Sequence, residues 1–228
     1  MKKFTDSFKE FMKKYKTFLF KTVIVCGCLL TCGIGYKLLI NKIEEYRLMN
    51  YPFEVMKHEA ELSYNQYKSE LVSVVKAYID SVAPTSSLNG YAIVDCCEKY
   101  DLDIKFVLAQ GQIESRFGTT GMAIKTNSVF NVGAYDKLTV EQVNGKFKYK
   151  HPDHSIEPYM KLLYRDYITG SKTELDLMAK YVNKNGQRYA SNLNYERDIL
   201  NLYKKIERET NISELQGETR RYKIILGK

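Results

Sequence analysis

The sequence predicts a mainly helical protein of the α+β type, with one small β-hairpin lobe, preceded by a transmembrane helix and an amphipathic helix. Three observations predict it. Apolar residues recur every three or four positions from Leu62 to Val82, and the later segments open on capping residues and close on glycines, as helices with one buried face do. Asn144-Gly145 lies between alternating apolar positions within residues 137–150, the strongest short-range hairpin signal. A lysine-rich start precedes the apolar stretch Thr17–Ile40, the pattern of a membrane anchor.

In chain order, residues 1–16 are basic with interleaved aromatics. The uncharged core of the next stretch, Thr22–Tyr36, is 15 residues long, short of the ~20 that cross hydrocarbon. Lys21 and Lys37 can snorkel, and Phe18–Phe20 and Leu38–Ile40 lengthen the apolar run. No small-x-small cleavage site follows, and Thr31 before Cys32 is a poor match to a lipid-attachment motif. Residues 17–40 are therefore expected to be an uncleaved single span, with the N-terminus cytoplasmic and the remainder outside. Residues 41–88 form an amphipathic helical segment and linker, with a break expected at Tyr51-Pro52. Stalk, first helix of the next domain and oligomer contact all suit residues 41–83. The domain boundary falls at Pro84–Gly90, which is loop chemistry.

The domain at 89–208 begins with a helix over Tyr91–Tyr100. Asp101-Leu-Asp103 gives a turn and an N-cap for the helix that follows. A short helix at Met122–Lys125 and the hairpin come next. Ser155, with Pro158 in the first turn, opens a helix ending at Gly170. Leu175–Val182 and Asn194–Glu207 complete the set, and residues 209–228 read as a polar tail.

The net charge of +8 is concentrated at the N-terminus, where residues 1–21 carry seven lysines against Asp6 and Glu10. Little basic excess remains for a nucleic-acid face, so nucleic acid is not an expected partner. Five cysteines and three histidines show no disulfide framework or metal spacing, and no metal or cofactor is expected. Nineteen tyrosines without tryptophan are unusual but indicate no particular chemistry.

The informative stretch is Phe106–Gly118, an apolar helical run carrying one acid, Glu114. Counting by turns, Glu114 shares a face with Val107, Gln110 and Phe117. An acid among apolar neighbours has its charged form disfavoured, which suits a general acid. An exposed helix-end glutamate, or one paired with Arg116, fits the same residues.

Ala109-Gln110-Gly111-Gln112-Ile113-Glu114-Ser115-Arg116-Phe117-Gly118 resembles the core motif of the glucosaminidase family of peptidoglycan hydrolases, which has a lysozyme-like fold. Asn127–Gly133, Phe147–Tyr149 with Ser155–Tyr159, and Tyr189–Tyr195 are similar to three further motifs of that family, in order. The resemblance covers about residues 90–207. It implies cleavage of the β-1,4 bond between N-acetylglucosamine and N-acetylmuramic acid. Glu114 would be the general acid and Tyr189 a cleft tyrosine, with Glu141 as the second carboxylate and Asp136 in reserve. Gln110, Asn127, Phe130, Asn131, Tyr135, Asp136 and Tyr195 would contact substrate. Asn192 and Asn131 depart from the family pattern, which carries aspartate and glycine there.

The expected partners are peptidoglycan strands, the bilayer through 17–40 and assembly partners through 41–83, in a membrane-anchored or virion-associated setting. The competing expectation is a structural or glycan-binding component of an envelope-spanning or virion-associated assembly, with little or no catalysis.

Overall fold

The computed structural model describes residues 16, 34–132, 142–143 and 146–228. Most of the expected anchor over 17–40 lies outside the described residues. Among the described residues no helix is long and apolar enough to cross a membrane. The chain divides into two compact units, Met1–Glu59 and Ala60–Lys228.

Helix α1 (Ile34–Val82) begins in the first unit, where its described side chains from Ile40 to Arg47 are exposed. It continues through Tyr51-Pro52, where the sequence suggests a break. Proline removes one backbone donor, but an existing helix propagates without paying again for a nucleus.

The second unit is mainly helical. From Ala60 onward α1 buries Ala60, Tyr64, Leu71, Val75, Tyr78 and Ile79, at helical spacing, so one face is core. Residues 60–82 thus pack on the domain that follows them. Helix α2 (Gly90–Tyr100) approaches this segment closely. A Cβ at Gly90 would lie 2.6 Å from the Val72 carbonyl oxygen, so only glycine fits. Cys96 and Cys97 on α2 are free thiols. Burial pushes Cys96 up to about 11 and Cys97 well above the ordinary thiol range, which leaves both unreactive.

Asp103 opens α3 (Ile104–Ser115), its carboxylate accepting from the Lys105 N–H at 2.8 Å. Every residue from Ile104 to Gly111 is buried, so α3 is wrapped on all sides by the domain. Helix α7 (Tyr195–Glu209) lies against it, antiparallel. Lys105 meets Glu207 at 2.8 Å at one end of the pair, and Glu114 meets Tyr195 at the other.

Between them come α4 (Ala123–Thr126) and two short strands, β1 (Gln142–Val143) and β2 (Lys146–Phe147). Gln142 pairs with Phe147 and Val143 with Lys146, antiparallel. These two pairs are the paired part of the β-hairpin expected over 137–150 that the described residues show; residues 137–141 and 144–145 lie outside them. A 3₁₀ turn at Pro152–Ser155 leads into α5 (Ile156–Asp166). Because α5 is entered from that turn, Ser155 makes no capping bond. Its hydroxyl instead donates to the Pro152 carbonyl and accepts from the Val129 N–H.

Helix α6 (Glu174–Ala179) opens on a capping box of Thr173 and Asp176. Residues 209–228, expected as a polar tail, carry helix α8 (Ile212–Leu226). Its Gln216 is buried yet satisfied, accepting from the Ile104 N–H and donating to the Leu102 carbonyl. A buried polar side chain of this kind makes a core-facing helix read as solvated.

Candidate active site

Glu114 stands one residue before the end of α3 and is half-buried. The helix stops abruptly beyond it. Arg116 and Phe117 both take positive φ, at 44° and 54°, a conformation that non-glycine residues hold only when their surroundings impose it. The surroundings do so through four contacts. The Arg116 guanidinium donates to the Val82 carbonyl at 2.7 Å, and Ser86 Oγ donates to the Phe117 carbonyl at 2.6 Å. Ser115 Oγ donates to the Val129 carbonyl at 2.6 Å and accepts from the Gly118 N–H at 2.8 Å.

Segment 127–131 docks against this helix end. Asn131 Nδ2 donates to the Glu114 main-chain carbonyl at 2.6 Å, satisfying one of the acceptors a helix leaves unpaired. Phe130 is buried and stacks on Tyr159, centroids 3.7 Å apart. Gly111 makes room for these rings: a Cβ there would lie 3.2 Å from Phe117 and 3.4 Å from Phe130.

The Glu114 carboxylate accepts a hydrogen bond from the Tyr195 hydroxyl at Oε1. Tyr195 in turn stands at the end of a tyrosine stack. Tyr181 and Tyr189 are nearly parallel, centroids 4.6 Å apart, and Tyr189 stacks on Tyr195 at 5.5 Å. A turn creates this stack. Asn183 Oδ1 accepts from the N–H groups of Asn185 and Gln187, Gly186 takes φ 77°, and Val182 bridges to Arg188. The chain thereby folds back on itself, and the Tyr189 N–H reaches the Tyr181 carbonyl at 2.9 Å.

Beneath the stack lies Gln110, which is completely buried. Its Oε1 accepts from Tyr159 and Tyr181, the latter at 2.9 Å, and its Nε2 donates to the Tyr195 oxygen at 3.2 Å. Tyr189 also interacts with the Gln110 side chain. Burial above all holds the four hydroxyls above the ordinary phenol range. At Tyr195, the neighbouring Tyr189 and the Glu114 charge push the same way. All four therefore keep their protons near neutral pH, and Tyr159, Tyr181 and Tyr195 donate theirs in the bonds above.

The sequence-derived residues thus separate into groups. Glu114, Gln110, Tyr189 and Tyr195 converge, with Asn131 on the Glu114 backbone. Phe130 packs beneath them. Asn127 Nδ2 donates to the Tyr149 carbonyl at 2.8 Å. Tyr135, Asp136 and Glu141 lie outside the described residues. Tyr181 is the member that sequence reasoning missed, and Tyr159 was noted only within a motif. The excess of tyrosines was the available signal, and it named no positions. Among the described residues no group of three or more His, Cys, Asp or Glu could hold a metal ion.

A half-buried helix-borne carboxylate with a hydroxyl donor beside it is an arrangement that acid–base chemistry can use. The glucosaminidase family model, described as mannosyl-glycoprotein endo-β-N-acetylglucosaminidase, matches residues 90–208. That span is more than half of the chain, which belongs to the glucosaminidase family. No curated protein matches the chain.

Proposed function

We propose that the protein hydrolyses the β-1,4 glycan backbone of peptidoglycan as an endo-β-N-acetylglucosaminidase, with Glu114 as general acid. In this reading the fold is lysozyme-like and the role is local wall opening or remodelling. The observation that carries it is the Glu114 carboxylate, half-exposed and bonded to Tyr195, inside the domain matched by the family.

The proton passes from Glu114 to the glycosidic oxygen, which leaves with the electron pair of its bond to the anomeric carbon. Water then supplies the hydroxyl at that carbon and releases a proton. In a two-acid mechanism the second carboxylate lies within ~5–9 Å of the acid, and Glu141, with Asp136 as the alternative, is the residue assigned to it. Residues 17–40 would hold the enzyme in the bilayer with its catalytic domain outside the cytoplasmic membrane.

Glu114→Gln in the full chain tests the assignment, with muropeptides released from purified sacculi read by mass spectrometry. The expected result is reducing N-acetylglucosamine ends from the wild type and none from the variant, with unchanged melting. Anhydro-muramic ends would mean a lytic transglycosylase. Sacculus binding without any product from the wild type would instead favour a structural, glycan-binding role.

A further inference from the structure

Each hydroxyl around Gln110 has one proton to give, and the buried amide has two acceptor sites and two donors. Tyr159 and Tyr181 both point their protons at Gln110 Oε1. That fixes the orientation of the amide. Turning it over would aim N–H groups at those two hydroxyls and take away the acceptor that both protons now share, which is costly for buried groups. With the amide fixed, Nε2 faces Tyr195 and donates to its oxygen at 3.2 Å. Among the described residues the Tyr195 hydroxyl then donates to Glu114 Oε1.

We propose that Gln110 is a positioning residue that orders this chain of donors. By committing Tyr195 to donate, it holds the hydroxyl that meets the Glu114 carboxylate in one orientation. Gln110 touches no substrate in this account, because its side chain is wholly buried. This departs from the substrate contact that the family resemblance implies for it. After Glu114 gives up its proton, the carboxylate charge forms with a donor already aimed at it, so no dipole has to turn during the reaction. The inference rests on Glu114 being the acid.

The test is a double-mutant cycle on kcat and KM with a glycan substrate, using Gln110→Leu, Tyr195→Phe and the pair, in the full chain. Gln110→Leu keeps the shape and removes both ends of the amide. The expected result is a fall in kcat of about tenfold or more, with KM changed less than twofold. In the pair, the two losses should not multiply, because both changes break one chain of donors. Losses that multiply fully, or a loss seen only in KM, would overturn the proposal.

If Gln110→Leu does not fold, Tyr159→Phe and Tyr181→Phe decide. Each removes one lock on the amide while keeping its ring, and each should lower kcat by severalfold; wild-type kcat in both would overturn the proposal. Glu114→Gln run alongside separates the two readings. Activity persisting there would sink the functional reading, whereas an inactive Glu114→Gln beside a fully active Gln110→Leu would sink this inference alone.

Discussion

At the residue scale, the site depends on small side chains where large ones would be expected. Gly111 sits in the middle of a buried helix, where alanine is normally the better helix former. Phe117 and Phe130 close over it so tightly that a methyl group would have to push one of them aside. Gly111→Ala should therefore destabilise the domain by about 1–3 kcal/mol despite the gain in helix propensity, as measured by urea unfolding. It should also lower activity, since Phe130 is stacked on Tyr159 and Tyr159 holds Gln110. A stabilised variant would show that the rings yield at no cost. The same scale explains what the sequence did and did not disclose. Glu114 stood out because it was the one acid in an apolar run. Tyr181, which donates to Gln110 at 2.9 Å, looked like ordinary helix packing, because nothing local in a sequence marks a bond that spans 71 positions.

At the element scale, residues 60–82 belong to the domain they precede. Gly90 abuts the Val72 carbonyl, Leu71 and Val75 are fully buried, and Lys68 ties α1 to Glu98 on α2 at 2.6 Å. Removing residues 60–82 should leave the family-matched part 90–208 unable to fold cooperatively, checked by circular dichroism melting of chains beginning at 60 and at 85. Leu71→Ala in the full chain should cost about 2–5 kcal/mol. The amphipathic period of this segment was readable, but its destination was not, because a stalk, a docked helix and an oligomer contact share one pattern. The start of α3 was legible because its cap is chemical: Asp103 accepts from the backbone two residues on. Helix α8 was hidden for the opposite reason. Its inward face carries Gln216 and Thr219 beside Ile212 and Leu215, so the hydrophobic period is half erased.

At the scale of the whole domain, acidity should loosen the fold through a few well-placed carboxylates. Arg165 beside Asp166, aided by Lys184, holds its carboxyl at about 2 despite an opposing effect of burial. Burial works to raise Glu98, but hydrogen bonds from Lys68 and Tyr64 and the charges of Lys68 and Lys223 bring it below its ordinary value. Both groups are lower in the folded state than in the unfolded one. Their contribution is therefore complete above the ordinary carboxylate range and disappears as the pH falls through that range toward about 2. Melting temperatures should decline across this window, and Asp166→Asn, which cannot be protonated, should flatten the decline. An identical slope in the variant would rule Asp166 out as a source.

The tyrosine stack has a spectroscopic consequence. The chain has nineteen tyrosines and no tryptophan, so its near-ultraviolet absorbance reports tyrosine alone. Phenols that water reaches freely ionise as a solution is made alkaline. Tyr159, Tyr181, Tyr189 and Tyr195 should stay silent until the fold gives way, then ionise together in one step that coincides with loss of helix. A spectrophotometric base titration followed alongside circular dichroism would thus give this protein an internal optical reporter, one that reads the integrity of the ground beneath Glu114 without a label or a substrate.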